Sequence, residues 1–122
     1  HHASFERGMF DYIICPDHGC PPIKLEQWHC TAFMARCNNI PAALVNTARA
    51  LNLPHQKQLR GRDLIKTLCI PQADGEFYST PELLEEMYEY CEKDVEAERA
   101  ACNLMRYPEE QEWQDYFVDD VK

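Results

Sequence analysis

Long apolar runs, a surplus of basic charge and a regular cysteine spacing are all missing from this sequence. No apolar run approaches the roughly 20 residues that a membrane span needs, and no basic, apolar, small-residue leader of the secretory type opens the chain. The expectation is a soluble protein with no membrane partner. With 12 Lys and Arg against 21 Asp and Glu, the net charge of −9 argues against a surface that grips DNA all round. It leaves room for a nuclease, because a site for divalent cations is built from clustered carboxylates. Nucleic acid would then be held mainly elsewhere, for example by a neighbouring basic domain. Four glycines and 27% charged residues suit a helix-rich globular chain, and 122 residues fit one domain or a piece of one. Internal repeats and low-complexity tracts are absent.

The seven cysteines, at 15, 20, 30, 37, 69, 91 and 102, are odd in number and irregular in spacing. Several fall within apolar helical stripes, where a free thiol behaves as a small hydrophobe. They are expected to be reduced and mostly buried, as in a cytosolic protein.

Apolar periodicity predicts a helix with Phe5, Met9, Phe10, Ile13 and Ile14 on one buried face, followed by a loop over Cys15 to Pro22. Ile23 to Trp28 is ambiguous. A brief helix over Thr31 to Cys37 is ended by Asn38-Asn39-Ile40-Pro41, and Pro41 falls in the first turn of the next, with Leu44, Ala48 and Leu51 on one face. A basic stretch of Lys57, Arg60, Arg62 and Lys66 overlies Leu64, Ile65 and Leu68, and Pro71 to Phe77 reads as a loop. The strongest helix begins at Thr80-Pro81, with Thr80 as cap and Glu82, Glu85 and Glu86 complementing its dipole. Its apolar stripe runs through Leu84, Met87, Tyr88, Cys91, Val95, Cys102 and Met105. Pro108 opens a last amphipathic helix with Trp113, Tyr116, Phe117 and Val121 on one side.

Four constellations could carry chemistry. Tyr90 and Asp94 lie four apart, on one helical face. Counted round the helix, both fall at the edge of the apolar stripe, with Tyr88 pointing into the core. A carboxylate there could bind a divalent ion and the phenol a water on it, although such pairs also arise by chance in acidic helices. The opening His1-His2-Ala3-Ser4-Phe5-Glu6 places an acid near a helix start, which is ordinarily favourable dipole electrostatics, and paired histidines also suit a tag remnant. Cys15, His18, Cys20, His29 and Cys30 are zinc-competent types, but without the paired two-residue gap of a strong zinc motif. Lys57, Arg60, Arg62 and Lys66 could meet phosphates or form a solvated helix face, with nothing to choose between them.

In order along the chain, these segments resemble the 3′→5′ proofreading exonuclease domain of phage-type family A DNA polymerases. His1-His2-Ala3-Ser4-Phe5-Glu6-Arg7 looks like the second exonuclease motif of that family, which reads His-Asn-Ala-x-Phe followed by an acid. Trp28-His29-Cys30-Thr31 is similar to its Trp-x-Cys/Asp-Thr segment. Leu51-Asn52-Leu53-Pro54 with Gln56-Lys57, Gly61-Arg62-Asp63-Leu64-Ile65 and Leu68-Cys69-Ile70-Pro71 follow its pattern. Gly75-Glu76-Phe77, then Tyr88 to Val95, looks like the third motif in its tyrosine-containing form.

The resemblance implies an α/β, RNase H-like exonuclease fold, with helices dominating the portion present. It implies a cytoplasmic enzyme that uses a pair of Mg2+ or Mn2+ ions to hydrolyse the 3′-terminal phosphodiester of single-stranded DNA. Asp94 and Glu6 would ligate metal, Tyr90 would orient the attacking water, and His2 and Phe5 would line the path of the 3′ end. Residues 1–106 would be the C-terminal two-thirds of the exonuclease domain, and 107–122 a helix leading toward the polymerase domain of the same chain. His2 replaces the family's asparagine and Glu6 the commoner aspartate. The first motif, Asp-x-Glu, belongs upstream of His1, and without it the chain is expected to bind metal poorly and to be inactive alone. A non-catalytic module attached to a polymerase is the alternative, and a small zinc module a third.

Overall fold

The computed structural model describes residues 1–54 and 60–119, so Gln56 and Lys57 of the sequence pattern, and Val121, lie outside the described residues. Among the described residues every regular element is helical and none is a strand. The helix-dominated character expected of this portion is what is found.

The first element, α1 (Ala3–Met9), runs through one π-helical stretch (Phe10–Ile14) into α2 (Cys15–His18), which stops at Gly19 with φ 63°. Pro16 cannot donate an N–H to the preceding turn and crowds its carbonyl, and the ladder widens just before it. The loop expected from Cys15 therefore starts only at Gly19. The buried face expected of this helix is also corrected. Only Ala3 is buried, while Phe5 is 68% exposed and Met9, Ile13 and Ile14 are open to solvent. The helix meets the rest at its two ends of contact, through Ala3 and through Phe10 edge-on to Trp28 at 5.9 Å.

Two helices follow, α3 (Thr31–Cys37) and α4 (Leu44–Ala50). Both end in the same way. Asn39 (φ 56°) and Asn52 (φ 52°) turn left-handed, and the next residue bonds back five positions, Ile40 N to Ala35 O and Leu53 N to Ala48 O, both 2.9 Å. This is the Schellman closure, with asparagine in place of glycine and an apolar residue after it. A proline follows each time, so Asn-Ile-Pro and Asn-Leu-Pro are one stop signal used twice. Pro41 precedes α4 rather than entering its first turn, and Thr47, fully buried, donates its hydroxyl to the Pro41 carbonyl at 2.7 Å.

The helix α5 (Gly61–Cys69) packs beside the N-terminal half of the long α6 (Pro81–Leu104), whose Thr80 cap accepts from Leu83 N at 3.2 Å. In α5, Leu64 is buried while Arg62 and Lys66 are exposed. Beyond a turn containing the buried Pro108, α7 (Glu110–Asp119) closes on α3. The core joins Ala32, Met34, Ala35, Ala48, Ala101 and Met105 to an aromatic group centred on Trp113. The Trp113 ring lies 4.9 Å from His29, 5.1 Å from Phe33 and 5.7 Å from Tyr116. The expectation that the cysteines are mostly buried is corrected, since only Cys30 is buried and Cys69 and Cys91 are exposed.

Polar bonds lock the turn between α6 and α7. Asn38 Oδ1 accepts from Arg106 N at 2.8 Å, and its Nδ2 donates to the Arg106 and Met34 carbonyls. The Arg106 guanidinium then grips Glu112 through two bonds, at 2.8 and 2.9 Å. Replacing Asn38 by Ala removes its two bonds to the exposed Arg106 backbone, while the Met34 carbonyl keeps the residue-38 backbone N–H at 3.1 Å, and should cost about 1 kcal/mol in urea unfolding. Asn39→Gly, at a left-handed position, should leave stability unchanged.

Bonds from Arg106 and from the Glu109 backbone N–H pull the Glu112 carboxyl from 4.5 down to about 2. A carboxylate whose folded pKa is depressed stabilises above its unfolded value and loses that effect as pH falls through the folded one. Glu112→Gln should therefore lower Tm at pH 7, and the difference from wild type should shrink between about pH 4.5 and 2.

Candidate functional site

The rotation of α6 decides which of its side chains can act together. The face that packs carries Tyr90, Ala97 and Ala101, which are buried, with Asp94 and Glu98 half-buried between them. The stripe of Tyr88, Cys91 and Val95 lies roughly a third of a turn away and faces out, with Tyr88 62% exposed. This corrects the expectation that Tyr88 points into the core and that Tyr90 and Asp94 flank it. The reason is steric. Ala97 and Ala101 let α3 and α4 approach closely, and the longer side chains of the other stripe would hold them off.

Tyr90, Asp94 and Glu98 thus form one row, spaced a turn apart. Tyr90, 8% exposed, packs its ring against Gly61 at the start of α5. Arg60 hydrogen-bonds Glu86, a turn before Tyr90 on α6, through Nε and through Nη2 at 2.9 Å, and the guanidinium holds the Glu86 carboxyl below its usual range. At the other end of the row, Glu98 accepts a bond from the Thr31 hydroxyl at 2.6 Å and meets the amino group of His1 at 2.8 Å. Glu6 reaches the same amino group at 3.2 Å. The His1 ring contacts the Thr31 hydroxyl at 2.9 Å and the Ala42 carbonyl.

Of the five residues singled out in the sequence, Tyr90 and Asp94 are neighbours on the packed face. Glu6 comes to that face opposite Glu98. His2, edge-on to His1 with ring centroids 5.3 Å apart, and Phe5 are exposed on the same short helix. Glu98 is the residue that the sequence reading missed, although its position four after Asp94 continues the Tyr90–Asp94 spacing.

Among the described residues no group of three or more His, Cys, Asp and Glu side chains is arranged to hold a metal ion. Asp94 and Glu6 do not by themselves complete a site for divalent cations, which need several oxygen donors each. Three of the five zinc-competent residues are engaged separately. The Cys15 thiol donates to the Cys20 carbonyl, the Cys30 thiol donates to the His1 carbonyl, and His29 lies against Tyr107 and Trp113. Of the basic cluster, Arg60 is paired with Glu86 and Lys57 is outside the described residues. No helix among the described residues is long and apolar enough to cross a membrane.

The chain is 37% identical, over 116 aligned residues, to the DNA polymerase of Bacillus phage SP02, an alignment that takes in 84% of this chain and 16% of that polymerase. It is thus similar to a segment of a phage DNA polymerase about one sixth of the polymerase's length. No family model matches the sequence, and no solved structure matches it.

The rotation of α6 has a direct consequence for stability. Tyr90→Ala, at the buried contact with α5, should cost about 3–5 kcal/mol in thermal or urea unfolding. Tyr88→Ala, on the outward stripe, should change stability by less than about 0.5 kcal/mol.

Proposed function

We propose that this chain is a portion of the 3′→5′ proofreading exonuclease domain of a phage-type DNA polymerase, with an RNase H-like fold completed by polypeptide outside it. The observation that carries the reading is the Tyr90–Asp94 pair on the inward face of α6, in a chain 37% identical to a segment of a phage DNA polymerase.

The substrate would be the 3′ end of single-stranded DNA, and the reaction hydrolysis of its terminal phosphodiester. Asp94 and Glu6 would contribute carboxylate oxygens to a Mg2+ or Mn2+ site that these residues do not complete alone. Tyr90 would offer its phenol as a hydrogen-bonding group beside it, and His2 and Phe5, both exposed, would be open to the nucleotide. The polymerase domain would be the partner within the same polypeptide.

A second reading, a non-catalytic module attached to a polymerase, is favoured by the lack of a three-carboxylate cluster among the described residues. The two separate in an assay of 3′→5′ degradation of single-stranded DNA with Mg2+ or Mn2+. The proteins compared are this chain, the longer polymerase that carries it, and that polymerase with Asp94→Ala. The exonuclease reading expects activity in the longer protein alone, lowered about a hundredfold or more by Asp94→Ala, the scale of losing one positioned electrostatic group. A longer protein with no such activity, or one indifferent to Asp94→Ala, leaves the structural module standing.

A further inference from the structure

We infer that Gly61 is a positioning residue for Tyr90, its missing side chain making the space in which the phenol is held. The inference rests on the exonuclease reading, in which the phenol acts beside the reacting atoms. Gly61 is buried at the first position of α5, and its φ is not among the left-handed values that call for glycine. Glycine inside a helix is less stable than alanine by roughly 0.5–1 kcal/mol, so neither backbone conformation nor helix propensity accounts for it there. Space does. A Cβ at Gly61 would stand 2.1 Å from Tyr90 Cζ, 2.2 Å from Cε2 and 2.6 Å from the hydroxyl oxygen, against about 3.5–4.0 Å for ordinary carbon contact.

Which part yields is decided by the surroundings. The start of α5 is tied to α6 by the Arg60–Glu86 pair, one turn before Tyr90, and by the buried Leu64. The atoms that a methyl group would strike are the far end of the tyrosine ring rather than any backbone atom. A methyl at position 61 therefore displaces the phenol while the two helices stay docked. A shift of about 1 Å in a group acting at the reaction can lower its rate about a hundredfold.

The test uses the longer polymerase that carries this segment, measuring kcat and KM for single-stranded DNA degradation, polymerisation rate and Tm. Gly61→Ala should lower exonuclease kcat at least about tenfold, with KM and polymerisation unchanged. In a Tyr90→Ala background, where the methyl has the ring's space, Gly61→Ala should cause no further loss, the non-additivity of a pair that acts as one. Glu86→Gln, which loosens the start of α5 without adding atoms or removing a positive charge, should lower kcat by a smaller factor that also vanishes with Tyr90→Ala. A Gly61→Ala protein whose polymerisation and Tm fall in step with its exonuclease shows a general structural defect and overturns the positioning role. An unchanged kcat, or a loss that persists in the Tyr90→Ala background, overturns the positioning role and leaves the exonuclease reading intact. A wild-type protein without exonuclease overturns both.

Discussion

Close helix approach across small residues is the constraint on which the rest of this molecule depends. Ala97 and Ala101 on α6 are 1% exposed, and Ala35 and Ala48 on α3 and α4 are fully buried. Alanine contributes little apolar area of its own, so such a core gains stability only when helices lie close enough to exclude water and bring backbones into contact. That requirement turns α6 so that its alanines face inward. The turn in turn carries Tyr90, Asp94 and Glu98 to the packed side and leaves Tyr88 and Val95 outside. In the N-terminal half of α6 the same logic recurs with glycine, where Gly61 admits the far end of the Tyr90 ring.

Polar groups finish what packing begins. The amide of Asn38 joins the end of α3 to the end of α6 through the backbone of Arg106, and Arg106 then sets α7 through Glu112. Those bonds present Trp113 and Tyr116 to Phe33 and His29. At the opposite edge, the Thr31 hydroxyl joins α3 to Glu98 of α6 and to the ring of His1. The indole N–H groups of Trp28 and Trp113 are the exceptions to polar pairing, buried with no hydrogen-bond partner among the described residues.

The functional reading inherits this geometry. A tyrosine and an aspartate one turn apart mean little on a solvated helix. On a packed face, one wall is a glycine and the next turn carries Glu98, so the same pair becomes a defined row of oxygen-bearing groups. The segment of a phage DNA polymerase that this chain resembles is why the proposed function centres on that row.

Local chemistry was legible from the residues alone. Thr80 and Pro81 mark the start of α6 because a hydroxyl cap and a missing N–H suit a helix end in any context. Thr31 to Cys37 is helical as its spacing predicts, and the Tyr90–Asp94 pair sits on one face because helical geometry allows nothing else. The rotation of α6 was not legible. Hydropathy favours burying Tyr88, Cys91 and Val95, and only the alanines of α3 and α4 on the other side reverse that preference. Nor did periodicity reveal that α1 would bury only Ala3, since an amphipathic stripe states a capacity for burial and not the presence of a partner. Sequence determined the helices, their caps and the spacing of the acids, because these depend on neighbours within a few residues. Tertiary structure alone decided which face of each helix is inside, because that depends on how closely residues far apart in the chain can approach.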